Sequence, residues 1–343
     1  MKSKNFLLSP ENLPMYLEDK KLVKDANDCV VRELGGGVSN IVLLVEWPDD
    51  PERRWVVKQS LGKLRVKDDW RSDRERIFRE ADAIHMLRPI LGNALPEVIY
   101  KDQRNFLYIM TAAPRGSQVW KESLLACRLS DLSVAREVGL LLARLINSTA
   151  ASSKFELWFH QRTNFDQLRI NPYYRTTALR QANHPQVQTA LRKLITDSLK
   201  IQTSLVHGDY SPKNILVHGK DIFLIDFEVV HWGDPSFDAG FLLNHLFLKA
   251  FHRPQFASIY FDAVREFWKA LHAGLGLDET GDFETMTIRH LGGLMLARID
   301  GKSPVEYIND EKTKARVRKV GKSILLVPPS NMNELVAVIS NEF

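Results

Sequence analysis

The apolar residues of this chain change their period once. Up to TAAPRGS (111–117) they fall in short β-branched and aromatic runs: CVVREL (29–34), NIVLLVEW (40–47), RWVVKQS (54–60), PEVIY (96–100) and NFLYIMTA (105–112). Beyond it they recur at helical spacing, and Pro114 and Gly116 break both patterns at the junction. One such change predicts an α+β chain of two lobes, a small β-rich one over 1–112 and a larger, mostly helical one over 113–343. At 343 residues and 44% hydrophobic content, each lobe has enough apolar material for a core.

Within the first lobe the runs predict a five-stranded sheet that begins with three antiparallel strands. One helix interrupts it, SDRERIFREADAIHMLRP (72–89), where Ser72 and Glu75 have capping-box spacing, Pro89 marks the end, and Ile77, Ala81, Ile84 and Leu87 share a face. In the second lobe the periodicity predicts helices near 131–149, 176–200, 237–251, 257–273, 283–299 and 311–323.

Charge and cysteine content exclude several classes. The net charge is +5, with 47 basic and 42 acidic residues interspersed, and the runs Arg71 to Arg79 and Lys312 to Lys322 read as solvated helix faces, so no nucleic-acid partner is expected. Cys29 and Cys127 stand far apart without a CxxC or His-rich partner, which supports neither a disulfide framework nor a zinc site. The N-terminal MKSKNFLLSPENLPMYLEDK shows no signal peptide, and GFLLNHLFLKAF (240–251), broken by Asn244, His245 and Lys249, is too short to span a bilayer. A soluble cytoplasmic protein is expected, monomer or homodimer, without a membrane partner.

Three stretches carry candidate chemistry. LGGGVSN (34–40) places Gly35, Gly36, Gly37 and Ser39 between two strands; its glycines suit a loop whose N–H groups cover a phosphate, and equally a plain hairpin turn. Lys58 sits in the apolar strand WVVKQS, where an ammonium needs a counter-charge, and Glu80 projects onto the inward helix face with Ile77 and Ile84. The two form a candidate ion pair that aims the ammonium at phosphate oxygens. The third, LVHGDYSPKNILVHGKDIFLIDFE (205–228), reads as strand, tight loop and hairpin, with Asp209 and Asn214 before the hairpin and Asp226 at its exit. Such a set suits one carboxylate taking a proton from a hydroxyl while an amide and a second carboxylate hold Mg²⁺ on a nucleotide's phosphates; turn capping is the bland reading of each residue alone. His207 is read as an anchor of this loop, and Asp238 as a helix cap or loop anchor.

The residues VHGDYSPKN, LIDFE and GDPSFDAG, with VVKQS and FREADAI upstream, resemble the aminoglycoside phosphotransferase and choline kinase superfamily, of protein-kinase-like fold, over nearly the whole chain. The resemblance implies an ATP-dependent kinase for a small molecule, with Asp209 as catalytic base, Asn214 and Asp226 on magnesium, Lys58 on the α/β-phosphates and Glu80 paired with it. It further implies that Met110, Thr111 and Ala112, within MTAA (110–113), meet the adenine. The small lobe is similar to that of methylthioribose kinases, whereas Asn214 follows the mainstream catalytic-loop pattern of the superfamily. Only seven residues separate Asp226 from Asp234, too few for the activation segment that holds a peptide, and Gly208 replaces the arginine that precedes a protein kinase's catalytic aspartate. The expected acceptor is therefore a sugar or thiosugar, amino alcohol or aminoglycoside, in a large-lobe pocket for which Trp232, Arg289 and His290 are candidates. The rival expectation is a catalytically silent nucleotide-binding regulatory module of the same fold.

Overall fold

The computed structural model describes residues 6–35, 40–62, 73–128, 131–275 and 281–343. The chain divides into two compact units, residues 1–117 with 223–228, and residues 118–222 with 229–343.

The first unit runs α1 (Leu13–Asp19), β1 (Val30–Glu33), β2 (Asn40–Trp47), β3 (Asp50–Ser60), α2 (Arg76–Leu91), β4 (Val98–Asp102) and β5 (Leu107–Thr111). Its five strands form one antiparallel sheet in the order β1-β2-β3-β5-β4, which makes β3 the centre. Residues 56–60 of β3 are buried in succession, because both faces of the sheet are covered there. Val57 joins Leu43, Ile109 and the α1 residues Leu13 and Leu17 in one core. Alternation turns Lys58 to the other face, toward α2, whose Ile77, Ala81, Ile84 and Leu87 are each at most 1% exposed. The segment ahead of β1 is fastened to the sheet by polar bonds. Gln59 Oε1 accepts from the Leu8 N–H (2.8 Å), and Gln59 Nε2 donates to the carbonyls of Phe6 (2.9 Å) and Asn105 (3.0 Å).

Two details of α2 differ from expectation. The helix continues two residues past Pro89, to Leu91, since a proline this close to the end deletes a single ladder bond. Glu75 occupies the N-cap position without a capping side-chain bond, and its own N–H is instead taken by the Asp73 carboxylate (2.9 Å). Ser72, the other half of the expected capping box, lies outside the described residues.

The second unit begins with β6 (Gln118–Val119), α3 (Trp120–Leu125), α4 (Ser133–Thr149), α5 (Ser153–Phe159) and α6 (Thr163–Phe165), followed by a π-helical segment, Asp166–Arg175. Then come α7 (Thr176–Arg180), α8 (Pro185–Lys200), β7 (Ser204–Val206), β8 (Ile215–His218), β9 (Asp221–Leu224) and β10 (His231–Gly233). The chain finishes with α9 (Ser236–His252), α10 (Ala257–Leu275), α11 (Gly281–Asp300), α12 (Glu311–Leu326) and α13 (Met332–Ser340). The single helix expected over 176–200 is two, because Pro185 lacks an N–H and takes the first position of a new helix. Strand β7 pairs antiparallel with β10, and β6 with β8. Every residue of α9 from Ser236 to Phe251 is buried, so its polar side chains stand inside the unit. Among the described residues no helix is long and apolar enough to cross a membrane.

Candidate functional site

In the first unit, three charges converge on the inner face of β3. Lys58 Nζ donates to Glu80 Oε1 at 2.7 Å and to Asp226 Oδ1 at 3.2 Å. Glu80 is fully buried, as its position on the inward face of α2 requires. Burial works against the Lys58 ammonium, but Glu80 and Asp226 outweigh it and hold its pKa well above the ordinary lysine value. Asp226 adopts a left-handed backbone, φ 73°, an unfavourable conformation for a residue with a β-carbon. Nearby, Arg76 Nε lies 3.7 Å from Glu228 Oε2.

In the second unit, the loop between β7 and β8 is fixed one N–H at a time. Asp238, in the first turn of α9, accepts from the N–H groups of His207 (2.6 Å) and Gly208 (2.9 Å). His207 Nδ1 in turn accepts from the Asp209 N–H (3.1 Å). Both residues thus anchor the loop. Burial pushes the Asp238 carboxyl up to about 7, against the pull of the two donors. Gly208 has φ +78°, and a β-carbon there would lie 2.8 Å from the Val229 carbonyl, so an arginine at this place would meet both strain and collision. Asp234 holds the next turn, accepting from Ser236 N–H (3.1 Å) and meeting His290 Nε2 at 3.0 Å.

The loop presents Asp209, whose side chain is 2% exposed. Its Oδ2 receives Arg169 (2.9 Å), Lys213 (2.8 Å) and Asn214 Nδ2 (2.9 Å). Asn214 Nδ2 also donates to the Asp209 carbonyl (2.9 Å), which fixes its amide. Asp209 lines a cavity of about 160 Å³ that lies within this unit.

None of Trp232, Arg289 and His290 lines that cavity. Trp232 is buried in β10 opposite Leu205. Arg289 is taken by Asp197 (2.9 Å), and His290 is enclosed between the Tyr174 hydroxyl (2.7 Å) and Asp234. The polar atoms of Arg289 and His290 thus tie α11 to its neighbours. In the first unit, Met110 and Thr111 close β5 and the Ala112 N–H donates to the Arg54 carbonyl (2.9 Å). Gly35 lies in an open turn after β1, and Gly36, Gly37 and Ser39 fall outside the described residues.

Three residues with a place in this geometry were not singled out by sequence. Arg169 comes from the π-helical segment and gives no motif. Lys213 lies inside HGDYSPKN, four residues after Asp209, a spacing that lets its side chain return to the carboxylate. Lys249, which lines the cavity, did leave a signal, since a lysine in a helix apolar on all sides is a candidate buried charge.

A model of the phosphotransferase enzyme family matches residues 30–273. The chain is similar to the 4-hydroxytryptamine kinase of Psilocybe cubensis, 25% identical over 274 residues that cover 71% of this chain and 74% of that one. It is also similar to the methylthioribose kinase of Geobacillus kaustophilus, 23% identical over 278 residues, or 72% and 68% of the two chains. Among solved structures, an ethanolamine kinase of Plasmodium vivax shares the fold, with a TM-score of 0.55, 13% identity and coverage of 96% of this chain and 86% of that one.

Proposed function

Since the chain belongs to the APH phosphotransferase enzyme family and is a small-molecule kinase, we propose that it passes the γ-phosphoryl group of ATP to a hydroxyl of a compact acceptor, with Asp209 as catalytic base. The observation that carries this reading is Asp209 itself, a buried carboxylate held by three donors at the wall of a cavity of about 160 Å³. A cavity of about 150 Å³ takes a molecule the size of benzene, so the volume favours a small acceptor over a multi-ring antibiotic. Cations around a base reduce its basicity, yet phosphoryl transfer through a loose transition state asks little of basicity and much of position. The bonds from Arg169, Lys213 and Asn214 supply that position.

Lys58 supports the nucleotide side of the reading. An ammonium carries three N–H donors, and Glu80 and Asp226 engage two, which leaves one for an α/β-phosphate oxygen. Asn214 and Asp226 carry hard side-chain oxygens of the kind that suits Mg²⁺; with Asn214 Nδ2 committed to Asp209, Oδ1 is the atom it would offer. A magnesium ion held by these residues would supply neutralisation of charge on the phosphate oxygens. Residues 110–113 meet the adenine. Free Cys29 and Cys127 agree with a reducing, cytoplasmic setting.

The test is magnesium-dependent release of nucleoside diphosphate across a panel of small hydroxylated acceptors. Acceptor-dependent release is expected. Tight nucleotide binding with no release on any acceptor would favour the silent regulatory module and contradict this reading.

A further inference from the structure

The same cavity carries an unbalanced charge. Resting on the kinase reading above, we infer that the acceptor itself bears an anionic group, a carboxylate or a phosphate, and that Lys249 receives it. Four cationic side chains line the cavity, Lys121, Lys213, Lys249 and Arg298, against two carboxylates, Asp209 and Glu306. Both carboxylates are already matched, Asp209 by Lys213 (2.8 Å) and Glu306 by Lys121. Lys249 and Arg298 form no salt bridge among the described residues. His245, also in the wall, is driven well below the ordinary histidine value by burial and by Lys249, so it adds no compensating charge.

Lys249 is fully buried, and its Nζ has one long hydrogen bond, to the His245 carbonyl (3.3 Å), and stands 5.3 Å from the centre of the Tyr307 ring. That is thin support for a group with three donors, because a buried ammonium without a counter-charge costs several kcal/mol. Two neighbours in the same wall are short of acceptors as well. The Tyr307 hydroxyl and Arg298 Nε are both buried with no hydrogen-bond partner, although Arg298 Nη1 donates to the Ser303 carbonyl and reaches Ser303 Oγ (3.1 Å) and the Tyr173 hydroxyl (3.3 Å). Donors in surplus from an ammonium, a guanidinium and a phenol, around one small cavity, call for an acceptor-rich anion. A cationic amino alcohol would add charge of the sign already in excess, and a neutral polyol would leave Lys249 uncompensated.

Four probes, each with a terminal hydroxyl, separate the cases: 3-hydroxypropanoate, glycerol 3-phosphate, 1,3-propanediol and 3-amino-1-propanol. Binding is read by thermal shift and calorimetry with the full chain saturated in Mg–ADP, so that anions are kept from the nucleotide's phosphate site. At least one anionic probe should bind saturably, while the neutral and cationic ones give no shift; which anion responds distinguishes carboxylate from phosphate. Lys249→Met should weaken that binding at least tenfold and Tyr307→Phe several-fold. Absence of anion binding, preference for the diol or amine, or undiminished anion binding by Lys249→Met would overturn the inference. Should Lys249→Met fail to fold, the wild-type probe series and Tyr307→Phe decide alone. Mg–ADP affinity in the same samples keeps the two claims apart. Nucleotide binding without anion binding contradicts only this inference, whereas anion binding without nucleotide binding supports it and contradicts the kinase reading.

Discussion

Among the described residues two lysines are buried, one in each compact unit, and their surroundings are opposite. Lys58 lies on the central strand β3 with two carboxylates within 3.2 Å, and its proton is held well above the ordinary lysine range. Lys249 lies in the buried stretch of helix α9 with no carboxylate bound to it, and burial, reinforced by Lys121 and Arg298 against the weaker pull of Glu306, brings its pKa down to about 7. The residue type is the same; the company decides whether the charge is a fixed structural element or one short of a partner. A permanently charged ammonium suits polyphosphate, present in every catalytic cycle. An uncompensated one suits a ligand that comes and goes.

Breaking each lysine should therefore change stability in opposite directions. Lys58→Met strands the fully buried Glu80, and loss of one partner of such a pair costs about 3–5 kcal/mol. Urea unfolding should show this loss, together with abolished Mg–ATP binding, and Lys58→Met with Glu80→Leu should recover most of the stability but none of the binding. Lys249→Met removes an unpaired buried charge and should raise stability by roughly several kcal/mol near pH 6. The sign with pH follows from the depressed pKa. Between about 7 and the ordinary value of 10.5, the unfolded chain binds the proton that the folded chain has lost, so wild-type stability rises with pH through this window. The advantage of Lys249→Met should accordingly shrink from pH 7 to pH 10 in paired thermal melts; a gap independent of pH would show that Lys249 is not desolvated in this way. As a baseline that touches neither lysine's hydrogen bonds, Tyr16→Phe removes a 2.6 Å bond to Asp102, which keeps its bonds from Asn105. Its cost should be the smallest, about 1 kcal/mol in the same assay.

The contrast also explains what was legible in the sequence. The five strands were, because their runs are bounded by turn residues, and so was the pairing of Lys58 with Glu80, since each is a charge on a face that periodicity marks as inward. The order of Asp209, Asn214 and Asp226 along one loop and hairpin was equally visible. Arg169 was not, because its approach to Asp209 depends on a π-helical segment that no periodicity announces. Trp232, Arg289 and His290 were plausible by position alone, but sequence does not reveal that Asp197, Asp234 and Tyr174 consume the polar atoms of the last two. Lys249 could have been found, as the one lysine in an apolar helix, had its burial been weighed for chemistry as well as against a membrane span. The break between α7 and α8 was likewise written in Pro185.

The most direct test of the account sets turnover beside nucleotide affinity in Asp209→Asn. The substitution keeps the shape of the side chain and its place at the cavity wall, so Mg–ATP affinity should stay within a few-fold of wild type while phosphoryl transfer to the acceptor falls by about 10²–10⁴. Undiminished transfer in this variant would contradict the assignment of Asp209 as the base.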